Sequence, residues 1–301
     1  MDQSPWPWAA RVDGRPVVIE LDDLPQLHDP VMIVAFEGWN DAGEAASDLV
    51  AHLAQAWDAV PMAALDPEDY YDFQVNRPRA VLEDGRRRVQ WRTTRILLAR
   101  PPGLGRDVVL VSGIEPSFRW RGFTVELMQY AQEAEVATVL FLGALMADVP
   151  HTRGIPVTAT SEDDQTVHRF DLERSTYEGP TGIIGVLADA ATQAGLTTMS
   201  FWAAVPHYAG HAPSPKATLA LLQRVERVLG HPLPKGTLAD DAKAWERGID
   251  DLAETDEEVA EYVEALEQAQ DTAQLPEASG DAIAREFERY LRGQQPDSGA
   301  S

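Results

Sequence analysis

The chain has 301 residues, 44% of them hydrophobic, enough for a sizeable core built as one large domain or one domain with an appendage. It has no cysteine, which excludes a disulfide framework, a thiolate metal site and a cysteine nucleophile, and fits a reducing cytoplasm. With 49 acidic against 25 basic side chains the formal net charge is −24, and a surface of that sign repels nucleic acid and anionic lipid, which need a basic footprint.

The N-terminal MDQSPWPWAARVDG has no basic region followed by an apolar run, so it does not read as a signal peptide. No stretch of about 18 apolar residues follows anywhere, so no membrane span is expected. Five apolar runs then succeed one another: VMIVAF (31–36), ILLA (96–99), VVLVSG (108–113), TVLFLGAL (138–145) and MSFWAAV (199–205). They are continuous rather than alternating and rich in Val, Ile and Phe, the pattern of strands buried on both faces of a parallel sheet.

Amphipathic stretches separate the runs. Residues 42–57 place Ala45, Leu49, Leu53 and Ala56 on one helical face, and residues 121–135 do so with Phe123, Leu127, Tyr130 and Ala134. Residues 181–194 carry Ile184, Leu187 and Ala191. At 215–229 the stripe is Leu219, Leu222, Val225 and Leu229, with Ser214 placed to cap, Pro215 in the first turn, and Gly230 and Pro232 as stops. This alternation predicts βαβ units in a doubly wound α/β core. Residues 66–92 are more polar, and DGRRR (84–88) predicts a hairpin turn added to the sheet at an edge or antiparallel.

The chain changes character near 237. We divide it into an α/β core (1–235), an acidic helical extension (236–294) and a disordered tail (295–301). Thr237 with Asp240, and Thr255 with Glu258, have capping-box spacing. The first predicts a helix carrying Leu238, Ala242, Trp245, Ile249 and Leu252, and the second a helix carrying Val259, Tyr262, Val263 and Leu266. Ser279 opens a third, with Ile283, Phe287, Tyr290 and Leu291. Their apolar stripes are expected to pack on each other or on the core, or else to dock a partner.

In an open α/β sheet ligands bind beyond the carboxyl ends of the strands. The segments there are EGWNDAG (37–43), SGIEPSFRWRGF (112–123), MADVPHTRG (146–154) and PHYAGHAPSP (206–215). A parallel sheet would gather Trp39, Asp41, Glu115, Arg119, Trp120, Arg121, Asp148, His151, Arg153, His207, Tyr208 and His211 on one edge, as a pocket or as an interface. Each has a plainer reading: Asp41 and Asp148 as helix or turn caps, Glu115 with Arg119 as a local ion pair, His151 and His207 as loop hydrogen-bonders. No phosphate loop, dinucleotide fingerprint or G-x-S-x-G elbow is present. His207 and His211 have the i, i+4 spacing of a zinc pair, but Pro206, Gly210 and Pro213 argue against a helix there, so neither metal nor cofactor is expected. EGPTG (178–182) opens a helix whose N–H groups could hold an anion. A Ser–His–Asp triad would draw on Ser117 or Ser214, His151 or His207, and Asp41 or Asp148.

Taken together, VMIVAFEGWNDAGEAAS (31–47), VVLVSGIEPSFRW (108–120), GALMADVPHTR (143–153) and SFWAAVPHYAGHAPSPKATLALL (200–222) resemble the blocks of the proteasome assembly chaperone 2 family in its actinobacterial form. The resemblance spans about residues 15–290. It implies a three-layer αβα sandwich around a mixed, largely parallel sheet, similar to the phosphorylase and peptidyl-hydrolase fold, with acidic helices appended. It also implies a non-enzymatic chaperone or scaffold that self-associates, with a trimer as first expectation, and that meets proteasome subunits. The alternative is a small-molecule binder or a hydrolase- or ligase-type enzyme using the edge loops. Chaperones of this group dock through a C-terminal hydrophobic–Tyr–any-residue tail. This sequence ends Gly299-Ala300-Ser301 and holds its nearest tyrosine, Tyr290, in a predicted helix, so that docking mode is not carried over.

Overall fold

The computed structural model describes residues 24–272 other than Asp84, His211 and Ala212, together with residues 11–12 and 15–16. The third tail helix predicted from Ser279, the tail at 295–301 and His211 lie outside the described residues. In chain order the main elements are β1 (Val31–Glu37), α1 (Ala45–Ala56), β2 (Val60–Ala64), α2 (Pro67–Tyr70), β3 (Arg79–Glu83), β4 (Arg86–Gln90), β5 (Arg95–Ala99), β6 (Val108–Ile114) and α3 (Trp120–Glu133). There follow β7 (Thr138–Ala147), β8 (Val157–Thr160), α4 (Asp164–Phe170), α5 (Ile183–Gln193), β9 (Thr197–Pro206), α6 (Pro215–Leu229), α7 (Leu238–Thr255) and α8 (Glu257–Thr272).

Seven strands form one sheet in the order β8-β9-β7-β1-β6-β5-β2. The four central strands β9, β7, β1 and β6 are parallel, and β8, β5 and β2 are added antiparallel to their neighbours at the two margins. The sheet is therefore mixed and mostly parallel. The run ILLA, read as a parallel strand, is corrected: β5 is antiparallel to β6, a direction that continuous hydropathy does not encode. The predicted hairpin forms as β3–β4, an antiparallel pair of its own rather than an addition to the main sheet.

Alternation along β1 shows why helices cover both faces. Val31, Ile33 and Ala35 face a core completed by Leu49 and Leu53 of α1 and Leu221, Leu222 and Val225 of α6. Met32, Val34 and Phe36 face the other core, with Phe123 and Leu127 of α3 and Ile184 and Leu187 of α5. All of these are essentially buried, each stabilising the fold by roughly 1.5–3 kcal/mol for its larger side chains. Gly143 on β7 is required by its neighbour: a Cβ there would sit 2.5 Å from the Trp202 ring, its register partner on β9.

Three caps differ from expectation. Thr237 and Ser214 make no side-chain cap bond, and the start of α8 is capped by Asp256, whose Oδ1 accepts from Glu258 N–H (3.0 Å) and Val259 N–H (3.3 Å), in place of Thr255. The helix read over 42–57 begins as a one-turn 3-10 segment, Ala42–Glu44, and a left-handed kink at Gly43 (φ 60°) and Glu44 (φ 53°) precedes α1.

The tail stripes turn inward in part, with Leu238 and Ala242 of α7 and Val263 of α8 buried and Leu252 and Tyr262 exposed. Among the described residues no helix is long and apolar enough to cross a membrane.

Candidate functional site

The pairing of β1 with β7 stops at Val34–Phe141, whereas its pairing with β6 continues to Glu37–Ile114. The carboxyl ends of β1 and β7 therefore splay, and the segment after β1 is drawn into the gap, where Ala144 N–H donates to Asn40 O at 2.8 Å. A half-open cavity of about 780 Å³ lies at this crevice, walled by Trp39, Met146 and Trp202 and rimmed by Glu37, Asp41 and Asp48. This is the edge to which the parallel strands deliver their loops.

Asp41 is nearly buried, at 6% exposure. Its carboxylate reaches past the kink to the start of α1, accepting from Ala46 N–H (2.7 Å), from Ser47 N–H (3.3 Å) and from the Ser47 hydroxyl. A carboxylate at a helix N-terminus satisfies otherwise orphaned donors and matches the helix dipole. Burial is the larger effect on its titration and pushes the carboxyl from 3.8 up to about 6; the three bonds and the Asp48 charge are smaller influences of opposite and like sign. Asp48 beside it is also raised, by burial and then by the charges of Glu44 and Glu37.

Glu115, at the end of β6, makes a second network. Its Oε1 accepts from Asn40 Nδ2 (2.8 Å) and from Ile183 N–H (2.8 Å), the first turn of α5. The anion site read at EGPTG is thus filled by the chain's own carboxylate. Gly182 makes that approach possible, since a Cβ there would lie 2.1 Å from Asn40 Oδ1. Glu115 does not pair with Arg119, as a local ion pair would require. Arg119 instead pairs with Asp69 and lies over the Tyr70 ring, and Trp120 Nε1 donates to Pro116 O (2.6 Å).

The third network joins the loop after β7 to the tail. His151 is 1% exposed. Its Nε2 meets Asp250 Oδ1 (2.9 Å), its Nδ1 meets the Tyr208 hydroxyl (2.7 Å), and its N–H donates to the same hydroxyl oxygen (2.7 Å). A carboxylate only accepts, so Nε2 carries a proton; in the neutral ring Nδ1 then accepts the Tyr208 proton. Burial pushes Tyr208 up to about 12, so it stays a hydroxyl. Around this core Tyr262 donates to Asp148 (2.8 Å), Arg153 pairs with Glu267 (3.2 Å) and Lys216 with Glu246 (2.6 Å).

Asp41, Glu115 and His151 each bind a different set of partners. Ser214 is buried with its Oγ unbonded and Ser117 is exposed beside Asp72, so neither forms the triad weighed above. His207 sits in a one-turn 3-10 segment, His207–Ala209, rather than a helix. Among the described residues no three His, Asp or Glu side chains are grouped to hold a metal ion. Residues that sequence reasoning passed over include Asn40, inside a motif already singled out, and Asp250, Glu246 and Glu267, which reach their partners across 99, 30 and 114 positions and leave no local signal.

A model of the PAC2 family matches residues 35–253. A crystal structure of a PAC2 family protein from Streptomyces avermitilis is 54% identical, covering 78% of this chain and all of that one, with a TM-score of 0.74. A Mycobacterium tuberculosis proteasome-assembly chaperone homologue is 52% identical over 77% of this chain and 99% of that one, with a TM-score of 0.71. An archaeal proteasome activator from Pyrococcus furiosus, 18% identical over 76% of this chain and 95% of that one, shares the fold with a TM-score of 0.61. No curated protein matches the chain.

Proposed function

Because the chain belongs to the PAC2 family, we propose that it is a chaperone-like or scaffolding protein rather than an enzyme, with proteasome subunits as partners. The observation that carries this reading is the state of the edge. Asp41 caps α1, Glu115 closes the start of α5, and His151 is clamped between Tyr208 and Asp250, so these three candidate groups are engaged in holding the fold. A catalytic acid or base must be within hydrogen-bond reach of a substrate proton, and these three present no common position for one. The mycobacterial relative, a proteasome-assembly chaperone homologue, gives the direction of the partner assignment.

The protein works in the cytoplasm in this reading and self-associates, with three copies as the first expectation. The test is assembly of proteasome α and β subunits from the same organism, followed by native electrophoresis with and without the full chain. Faster accumulation of assembled particles, or transient co-purification with unassembled subunits, is the expected result. Equal rates together with no co-purification would overturn the proposal.

A further inference from the structure

The β3–β4 hairpin stands apart from the main sheet, and a lone two-stranded hairpin is at best marginally stable in water. Its register puts Leu82 opposite Arg87 and Ala80 opposite Val89 on one face. That face is open, with Leu82 79% and Val89 55% exposed. Arg79, Arg86, Arg87 and Arg88 place four of the chain's 25 cationic side chains on this arm. Because side chains alternate along a strand, Arg87 shares this face with Ala80, Leu82 and Val89, while Arg79, Arg86 and Arg88 stand on the other. An apolar strip carrying an arginine has the composition of an interface, where Arg is enriched.

Charge complementarity names the occupant. The surface best matched to a cationic arm is acidic, and this chain carries a net charge of −24. The crevice at the carboxyl edge offers Glu44 and Asp48 at its rim and Trp39 and Trp202 as walls, and an arginine stacks favourably on tryptophan. Asp48 is raised first by burial and then by the neighbouring charges of Glu44 and Glu37. The crevice already takes guanidiniums of its own chain, since Arg92 pairs with Glu37 and Arg95 is among its lining residues.

We propose that the Leu82–Arg87–Val89 face of the hairpin docks into the Trp39–Trp202 crevice of a second copy of this chain, Arg87 meeting Glu44 and Asp48. This rests on the self-association included in the reading above and adds the surfaces that carry it. The contact is heterologous, arm into groove, and closes as a ring if the rotation between copies permits.

The test is sedimentation of the full chain over a dilution series, for the unchanged protein and for three variants: Arg87→Glu, Leu82→Ser, and Glu44→Arg with Asp48→Arg. Each is expected to raise the dissociation constant by at least about tenfold, the scale of one close interfacial charge pair or apolar anchor. Combining the two charge reversals in one chain is expected to recover most of the loss. Raising salt is expected to weaken the unchanged protein. Far-UV circular dichroism and melting confirm that each variant is folded, and the exposed Leu82→Ser keeps the test open if a charge reversal misfolds.

A monomer at every concentration overturns self-association and this proposal together, leaving the subunit-assembly reading to its own experiment. Association that ignores the arm variants, or charge reversals that fail to compensate one another, overturns the arm-in-groove contact alone. Release of a co-purifying acidic protein from the arm in place of a change in self-association also overturns it.

Discussion

Replacing Asp41 by Asn should flatten one component of the protein's pH–stability profile. The Asp41 carboxyl stands at about 6 in the folded protein against 3.8 in an exposed chain. The difference of about 2.2 corresponds to about 3 kcal/mol at 1.36 kcal/mol for each factor of ten. Between pH 3.8 and 6 the native state holds a proton that the unfolded chain has released. The contribution of this group is therefore fully present below about pH 3.8 and is lost as pH rises through about 6. An amide has no proton to lose there and keeps an oxygen able to accept from Ala46 N–H. The assay is urea unfolding at fixed protein concentration, with both proteins measured from pH 4 to pH 7. The remaining acidic side chains are common to the two and cancel in the difference. The unchanged protein should lose about 2.4 kcal/mol relative to Asp41→Asn across that range, the rest of the difference falling below pH 4. Profiles that run parallel to within about 0.5 kcal/mol would refute the assignment of burial as the dominant influence on this carboxyl.

Gly182→Ala places a methyl 2.1 Å from Asn40 Oδ1, and should cost on the order of 3 kcal/mol by urea midpoint as the Asn40–Glu115–Ile183 network is pushed apart; a change under about 0.5 kcal/mol would mean the network shifts freely. Asp250→Ala leaves the His151 Nε2 proton buried without its acceptor and should cost about 1–3 kcal/mol. Hydrogen exchange should then quicken in α7 and α8 while β1, β6 and β7 stay protected, and unchanged exchange in the two helices would remove the tether assigned to Asp250.

The runs at 31–36, 108–113, 138–145 and 199–205 were legible because a strand buried on both faces has no polar side to show, and all four became the parallel centre of the sheet. β8 and β2 were not read: VTAT has only four residues, and VPMAA carries Pro61 beside a register shift at the sheet's edge. Asp41 as a cap was foreseen as one reading, but its target lies beyond a left-handed kink that composition does not announce. The gathering of edge loops followed from strand direction, whereas their division into separate networks depended on which helix start each carboxylate reaches and on which acidic tail residue meets the loop after β7. The extension at 236–294 offers seventeen carboxylates in sequence, and packing alone selects Asp250 for His151 and Glu246 for Lys216.

The placement of Glu115 on the first turn of α5 has a consequence for what can visit the molecule. The free N–H groups at a helix start are the usual landing point for a phosphorylated metabolite in a sheet of this kind. Here the protein carries a built-in tenant at that berth, fixed by Asn40 on its other side. A nucleotide or sugar phosphate approaching α5 would have to evict a negative charge before it could be received, so the doorway is shut to anions and stands open only to visitors of the opposite sign.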